Sequence, residues 1–243
     1  MAQTFALRPD KGSVSVNEGR KRSILGAYTK VADMGSLFDD MMTNRSAAGR
    51  LLMRYLWRLP KPRYEAYLAR AFAGIPEGFH GHLLEVPVGT GALSLPRFQD
   101  FPQAEITCLD YVAGMLERAR NYAAELGLQN VRFQQGDVGQ LPFAAGSFEI
   151  VLSVNGFHAF PDKDAAFREI ARVLKWGGTL TGSCYVRGES RVVDAFCKAF
   201  LVPTGCFTPP FDTEETLRAR LEALYREVEV ETFGAFAAFR CRK

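Results

Sequence analysis

Short apolar segments alternate with helical patterns from residue 82 onward, and this alternation constrains the fold more than any other feature of the chain. Strand-like segments cover residues 82–86, 104–109, 130–135, 147–154 and 178–185. Between them, residues 112–126 and 164–174 repeat apolar side chains at the spacing of a helix. Because strands that alternate with helices build a parallel sheet covered on both faces, we predict an α/β, doubly wound sheet.

The carboxyl end departs from this alternation. A helical pattern over residues 212–227 leads into the strand-like segments 228–232 and 235–241, which are joined by only two residues. Strands joined by so short a link must run antiparallel. The predicted sheet therefore has seven strands, mostly parallel, and closes with an antiparallel hairpin.

Composition narrows the class of protein. The charge is nearly balanced, with 30 Lys and Arg against 27 Asp and Glu, which argues neither for nor against a nucleic-acid partner. The five cysteines contain no Cys-x-x-Cys pair, so we expect free thiols and no metal site. The amino terminus lacks a signal-peptide core, and no run reaches the ~20 apolar residues that span a bilayer. We expect a soluble, cytoplasmic protein without a membrane partner.

Three acidic residues fall at or beside the carboxyl ends of successive strands. Glu85, Asp110 and Asp137 follow one another at 25 and 27 residues, one strand–helix–strand step each. The alternative is that each is a surface turn residue or a helix cap, since aspartate commonly caps helices. Three such residues in register favour a shared ligand in the crevice over the strand ends.

Each group in this crevice suits part of a nucleoside. Gly89 and Gly91 allow the backbone to approach a ligand closely. Asp110 offers two acceptor oxygens for the paired hydroxyls of a ribose, and Asp137 can accept from an exocyclic amine. The backbone N–H of Val138 would donate to the ring. Apolar side chains, including Tyr111 and Met115, would enclose the base.

Four segments carry a family resemblance. The segments "LLEVPVGTGALS", "ITCLDYVAGMLERAR", "VRFQQGDVGQLPFAAGSFEIVLSVNGFHAFPD" and "AFREIARVLKWGGTL" resemble, in order and spacing, class I S-adenosylmethionine-dependent methyltransferases. Within that class the chain is most similar to the small-molecule branch typified by ubiquinone- and menaquinone-biosynthesis enzymes. The resemblance covers roughly residues 82–185 and implies a Rossmann-like fold, with S-adenosylmethionine as cofactor and S-adenosylhomocysteine as product.

The resemblance also implies the site. Glu85, Gly89 and Gly91 would surround the methionine half of the cofactor, Asp110 would hold the ribose, and Asp137 with Val138 the adenine. Tyr28 either contacts the cofactor from a lid or simply packs. The implied cofactor contacts are Glu85, Pro87, Gly89, Thr90, Gly91, Asp110, Tyr111, Met115, Asp137, Val138, Ser153, Asn155 and Tyr28.

The domain organisation follows from the same reading. We predict a flexible tail over residues 1–23, a helical lid over 24–75, and a methyltransferase core over 76–243 with a lid insertion at about 186–212. The apolar anchors expected in the lid's first helix are Leu37, Phe38, Met41, Met42, Leu51, Leu52, Tyr55 and Leu56.

Pro87 departs from the family, which usually has glycine at this position. Proline fixes φ near −65° and removes an N–H. If this position needs neither a positive φ nor a donor, the exchange only stiffens the turn, which is the interpretation we favour. If it needs either, the site is damaged.

His158 is the candidate general base, because it lies in the loop that follows the fourth strand. The alternative is that it packs within a loop typical of the family. Cys184 lacks the Pro-Cys loop that would accompany a nucleophilic cysteine, and "SVNGF" lacks the motif of exocyclic-amine methylation on nucleic-acid bases.

Other functions remain open at this point. The leading prediction is in-line methyl transfer to a small-molecule acceptor. Gly89 and Gly91 followed by Asp110 also suit the ribose of NAD in an oxidoreductase. A methyltransferase-like protein that binds the cofactor without turnover is a second alternative. RNA methylation rests only on the basic residues Arg20–Arg22. The acceptor and the oligomeric state are not readable from the sequence.

Overall fold

A seven-stranded sheet forms the centre of the molecule. The computed structural model describes residues 11–33, 39–40, 42–43 and 46–243, with side chains from residue 17 onward. The strands are β1 His82–Glu85, β2 Glu105–Asp110, β3 Val131–Gln135, β4 Phe148–Val154, β5 Leu174–Tyr185, β6 Glu227–Phe233 and β7 Phe236–Arg242.

The strand order is β3-β2-β1-β4-β5-β7-β6. The pairs from β3 through β5 are parallel, and β7 runs antiparallel to both β5 and β6. This confirms the predicted Rossmann-like sheet and its closing hairpin. The order also reverses between β2–β1 and β4, which places a crevice over the carboxyl ends of these strands.

Helices cover both faces of the sheet. They are α1 Lys11–Asp33, α2 Ala47–Tyr55, α3 Lys61–Phe72, α4 Leu95–Phe98, α5 Ala113–Glu125, α6 Lys163–Val173, α7 Arg191–Phe196 and α8 Glu214–Glu222, with a π-helix over Cys197–Leu201. One buried cluster joins α3, α4 and α5 to one sheet face, and a second joins α6 and α8 to the other. The alternating side chains of buried strands supply both clusters, as the sequence pattern predicts.

The first helix corrects one expectation. Residues 11–23, predicted as part of a flexible tail, form the first half of α1. Three polar contacts hold this half on the core: Asn17 donates to Asp162, Arg20 donates to the carbonyl of Pro161, and Lys21 pairs with Asp137. In the second half, Ile24, Ala27 and Val31 are buried. The local composition of residues 11–23 indicates a tail, but the segment is helical and makes long-range contacts with the core.

The first helix of the lid, which was expected to carry the apolar anchors named above, is divided into two helices. The helix α1 ends at Asp33, and α2 begins at Ala47 behind a Ser46 cap that accepts from the Gly49 N–H. Leu37, Phe38 and Met41 lie outside the described residues. Two of the expected anchors in α2 point outward, since Leu51 is 58% exposed and Tyr55 is 67% exposed. The domain boundaries themselves stay a prediction.

None of the helices in the described part of the chain has the length and apolar character needed to cross a bilayer.

Candidate functional site

A cavity of about 340 Å³ lies over the carboxyl ends of β1, β2 and β4. Its walls come from the turn after β1, from α1, α2 and α5, and from the segments after β4 and α7. The structure places the following predicted residues in its lining: Tyr28, Glu85, Pro87, Gly89, Thr90, Gly91, Asp110, Tyr111, Met115, Asp137, Val138, Asn155 and His158. The crevice proposed from the strand ends is therefore a single cavity.

Ser153 is the exception among the predicted residues. It pairs with Gly182 across β4 and β5 and is fully buried. A Cβ at Gly156 would lie 2.7 Å from its Oγ, so Gly156 covers the Ser153 side chain. Ser153 is therefore not part of the cavity lining, and its buried side chain lies beneath the loop that follows β4.

In the turn after β1, the residues with positive φ angles are glycines. Gly89 has φ 56° and Gly91 has φ 74°, conformations that side chains with a Cβ rarely adopt. Pro87 stands before both and follows a cis peptide bond. The hydrogen bonds to the sheet come from its neighbours, with Val86 N–H donating to Leu152 and Val88 N–H to Leu109.

Pro87 is accommodated by a glycine in the loop after β4. A Cβ at Gly156 would lie 2.4 Å from the Pro87 Cδ, so the ring occupies the space that a side chain at position 156 would need. These observations favour the interpretation that proline stiffens the turn and leaves its hydrogen bonding intact.

Asp110 anchors the turn from the end of β2. Its Oδ2 accepts from the Gly89 N–H at 2.8 Å, and its Oδ1 accepts from the Val112 N–H at 2.9 Å. Burial raises the pKa of Asp110 to about 6, and these backbone donors oppose the rise. The carboxyl group is therefore mainly ionised at neutral pH and can act as a hydrogen-bond acceptor for a ligand.

Asp137 lies after β3 and is held by two donors. Its Oδ1 accepts from the Gly139 N–H at 2.8 Å, and its Oδ2 lies 2.8 Å from the Nζ of Lys21. Lys21 also lines the cavity. Sequence reasoning missed Lys21, because it assigned the residue to a flexible tail.

A second polar contact ties the amino-terminal segment to the glycine turn. The Thr90 hydroxyl donates to Asp39 Oδ1 at 2.5 Å, and Arg118 of α5 pairs with Oδ2 of the same carboxylate. Arg118 also donates to the carbonyl of Ala32 at 3.2 Å. Neither Asp39 nor Arg118 was predicted, because no local motif marks a contact between residues 79 positions apart.

Tyr28 combines the two alternatives considered for it. Its side chain lines the cavity beside Val31 and Met115, and its hydroxyl donates to the carbonyl of Cys206 at 3.1 Å. It therefore packs α1 against the core and also faces the site.

Asn155 is fixed by an aromatic residue from outside the predicted set. It has φ 56°, and its Oδ1 accepts from the hydroxyl of Tyr67 at 2.7 Å. The same hydroxyl lies 2.7 Å from the Oγ of Ser183. Tyr67 of α3 thus holds the loop after β4 against the end of β5.

His158 is buried beside the ring of Phe207, with centroids 4.1 Å apart. Its Nδ1 accepts from the backbone N–H of Tyr185 at 3.1 Å. Burial, with a smaller effect of Lys163, lowers the pKa of His158 to about 3. The ring is therefore neutral at physiological pH, and since Nδ1 accepts, its proton lies on Nε2.

Glu85 lies deepest among the acidic residues, with 2% of its surface exposed. Its Oε2 accepts from the Ser94 hydroxyl at 2.8 Å and from the Cys108 thiol at 3.6 Å. Burial raises the pKa of Glu85 to about 8, and the two hydrogen bonds oppose this rise. Glu85 is therefore mainly protonated at pH 7 until a cationic group enters beside it.

We expect the Glu85→Gln substitution to flatten the pH dependence of stability in the ligand-free protein. The folded wild type holds this proton to about pH 8, whereas an ordinary glutamate releases it near pH 4.5. The stability it contributes is present below pH 4.5 and is lost as the pH rises toward 8. The amide that replaces the carboxyl group in the variant does not ionise. Denaturant unfolding between about pH 5.5 and 8 should show wild type losing at least about 1.4 kcal/mol more than the variant.

The control for this experiment is Glu125→Gln, at an exposed position of α5. It should reproduce the wild-type pH dependence. Parallel curves for wild type and Glu85→Gln would contradict the assignment of a buried, protonated carboxyl.

Metal ligation is not apparent at the site. Among the described residues, no group of three or more His, Cys, Asp or Glu side chains could hold a metal ion.

Comparison with known proteins shows which proteins the chain is similar to. Residues 83–178 match the family model described as methyltransferase domain. The chain is 36% identical over 154 residues to malonyl-[acyl-carrier protein] O-methyltransferase of Geobacter sulfurreducens, across 61% of this chain and 57% of that protein. It is 33% identical over 155 residues to demethylmenaquinone methyltransferase of Deinococcus radiodurans, across 61% of this chain and 60% of that protein.

A solved structure supports the fold. The chain superposes on a SAM-dependent methyltransferase from Thermotoga maritima with a TM-score of 0.59 and 22% identity, over 83% of this chain and 98% of that one. At this identity the likeness concerns the fold alone. The chain spans less than two thirds of the length of the two curated relatives named above. Residues 83–178 are therefore similar to a methyltransferase domain, and the seven-stranded sheet that contains them has the same fold as the solved Thermotoga maritima structure.

Proposed function

We propose that the protein transfers a methyl group from S-adenosylmethionine to a small-molecule acceptor. One observation carries this proposal: Glu85, Asp110 and Asp137, borne by successive strands, line one cavity together with Gly89. A set of separate turn residues or helix caps would not converge in this way.

The residues present fit the cofactor. Asp110 lines the cavity, and its carboxylate offers two acceptor oxygens to neighbouring ribose hydroxyls. An added Cβ at Gly89 would meet nothing within 4 Å, so the backbone there borders open space. The cavity of about 340 Å³ lies within the ~300–1,000 Å³ range of small-molecule sites.

The proposed contacts divide along the cofactor. Glu85, with Asn155 and the glycine turn, would hold the charged methionine end, because a buried carboxyl ionises beside a cation. Asp137 and the Val138 N–H would hold the adenine, and Met115 with Tyr111 would enclose it. When bound, S-adenosylmethionine supplies a methyl group activated by a sulfonium. The protein's part is to orient the acceptor and to exclude water.

The relatives support a small-molecule acceptor. Those two proteins are named for methyl transfer to a malonyl-[acyl-carrier protein] and to demethylmenaquinone. Neither name refers to a nucleic acid.

We further propose that His158 acts as a hydrogen-bond donor to the acceptor, in place of the general base expected from the sequence. Its Nδ1 is engaged by the Tyr185 N–H, so Nε2 carries the proton and has no lone pair with which to accept another. A donor at this position would orient an acceptor oxygen or nitrogen without removing its proton.

Nuclear magnetic resonance of ¹⁵N-histidine-labelled protein tests the state of His158. We expect the Nε2–H tautomer and no titration between about pH 5 and 8, because burial holds the pKa near 3. His158→Asn identifies the signal among the three histidines. A proton on Nδ1, or titration near pH 6.5, would restore the role of base.

A thermal-shift comparison separates the proposed function from its main rival. S-adenosylhomocysteine should raise the melting temperature of the wild-type protein, and NADH should leave it unchanged. Stabilisation by NADH alone would favour the oxidoreductase that Gly89, Gly91 and Asp110 also allow.

Cysteine chemistry supports a cytoplasmic location. All five cysteines are free, and Cys108, Cys184, Cys197 and Cys241 are buried. Free thiols are typical of a reducing compartment. Cell fractionation that found the protein in an oxidising compartment would contradict this proposal.

A further inference from the structure

The cavity has an apolar half that the cofactor contacts described above do not use. This half, called the apolar chamber below, is formed by side chains from the segments around α2, α7 and β7. Its members are Met42, Leu52, Met53, Leu56, Trp57, Phe196, Leu201, Phe207 and Phe236. None of these nine side chains is ionisable, so the chamber offers an entering molecule hydrophobic contact with little polar recognition.

A row of rings connects His158 with the protein surface through this chamber. The ring of Phe207 lies 4.1 Å from His158, and Trp57 lies 6.4 Å from Phe207 in a stacked arrangement. Phe196 meets Trp57 edge-on at 6.1 Å, and Phe200 lies 5.3 Å from Phe196. The row begins at His158, which is 5% exposed, and ends at Phe200, which is 61% exposed.

Both walls of the chamber also carry exposed apolar side chains. Leu52 of α2 and Leu56, which directly follows this helix, line the chamber, while Leu51 and Tyr55 of α2 are largely exposed. On the other wall, Leu201 of the π-helix lines the chamber and Phe200 of the same helix is exposed. Apolar surface thus continues from the chamber to the outside, which is typical of a route or site for an apolar ligand.

We propose that the acceptor carries an extended hydrocarbon or aryl portion that lies in the apolar chamber, with its reacting polar atom beside His158 and its far end toward Phe200. This inference rests on the proposed methyl transfer and names the chemical class of its acceptor. A charged or strongly polar tail would be excluded, because burial without hydrogen-bond partners is costly.

Trp57 provides a direct reporter of the chamber. The chain has two tryptophans, and the other, Trp176, is 83% exposed. The substitution Trp176→Phe leaves Trp57 as the single tryptophan of the protein. Its fluorescence can then be followed during titration with the methyl, butyl and octyl esters of 4-hydroxybenzoic acid, in the presence of S-adenosylhomocysteine. From the methyl to the butyl ester, we expect the dissociation constant to fall by about fourfold for each added methylene.

Two arginine substitutions in the Trp176→Phe background provide a matched pair. Phe196→Arg places a charge in the chamber and should abolish the dependence on chain length. Val192→Arg, at an exposed position of α7 outside the lining, should leave that dependence unchanged. If Phe196→Arg does not fold, the ester series in Trp176→Phe decides the question alone.

The possible outcomes distinguish a failure of the inference about the acceptor from a failure of the proposed methyl transfer. Binding of S-adenosylhomocysteine together with ester affinities that do not change with chain length would overturn the inference and leave the proposed function standing. An equal loss of chain-length dependence in Val192→Arg would also overturn it, since the tail would then lie on the surface. Failure of S-adenosylhomocysteine to bind the wild type would overturn the proposed function and the inference with it.

Discussion

The Asp110→Ala substitution should weaken the binding of S-adenosylhomocysteine by at least ten- to a hundredfold. A hydrogen bond to a charged group contributes about 1.5–3 kcal/mol, and each 1.4 kcal/mol corresponds to about one decade of affinity. The substitution removes the acceptors proposed for the ribose. It also frees the Gly89 and Val112 N–H groups that order the turn. Titration calorimetry at about pH 8, well above the pKa of Asp110 near 6, measures the effect.

Asp100→Ala is the matched control for this substitution. Asp100 is exposed and lies outside the cavity lining. Its loss should leave the affinity unchanged, and far-ultraviolet circular dichroism should show that both variants fold. An Asp110→Ala protein that is folded and binds S-adenosylhomocysteine like the wild type would mean that Asp110 does not hold the ribose.

The two glycines of the turn should respond differently to alanine. Both have positive φ, so each substitution costs about 1–2 kcal/mol of backbone energy. At Gly91 the new Cβ would lie 2.2 Å from the Cδ1 of buried Leu95, which adds about 1–3 kcal/mol of overpacking. At Gly89 the new Cβ meets no protein atom within 4 Å and borders the cavity.

Gly91→Ala should therefore lose more stability in denaturant unfolding, and Gly89→Ala should lose affinity for S-adenosylhomocysteine at a smaller cost in stability. Each variant is a control for the other, because both replace a glycine of positive φ with alanine and differ only in what surrounds the new Cβ. Equal stability losses with retained binding in Gly89→Ala would show that the turn does not face the cofactor.

The sheet could be predicted from the sequence because its information is local. Period-two and period-3.6 patterns mark the strands and helices, and the two-residue link between β6 and β7 sets their antiparallel pairing. The start of β5 was predicted less accurately, at residue 178. Gly177 and Gly178 indicate a turn, but the strand already begins at Leu174 and includes Gly177 at φ 73°.

The convergence of the acidic residues could be predicted from the sequence, because parallel strands end at the same edge of a sheet. The side chains that contact these residues could not be predicted. Lys21 reaches Asp137, and Tyr67 reaches Asn155, across 88 residues in the second case, and no local pattern encodes such contacts. The proton position on His158 likewise depends on the backbone of Tyr185, 27 residues away. The strand ends predicted which side chains line the cavity, with the exception of Ser153, whereas the protonation state of His158 depends on the tertiary structure.

The most direct test of this account is a crystal structure of the protein with S-adenosylhomocysteine. We expect both ribose hydroxyls within hydrogen-bond distance of the Asp110 carboxylate and the adenine amine beside Asp137, with the homocysteine end toward Glu85 and Asn155. A ligand bound elsewhere, or one in this cavity that contacts none of the three carboxylates, would contradict the account.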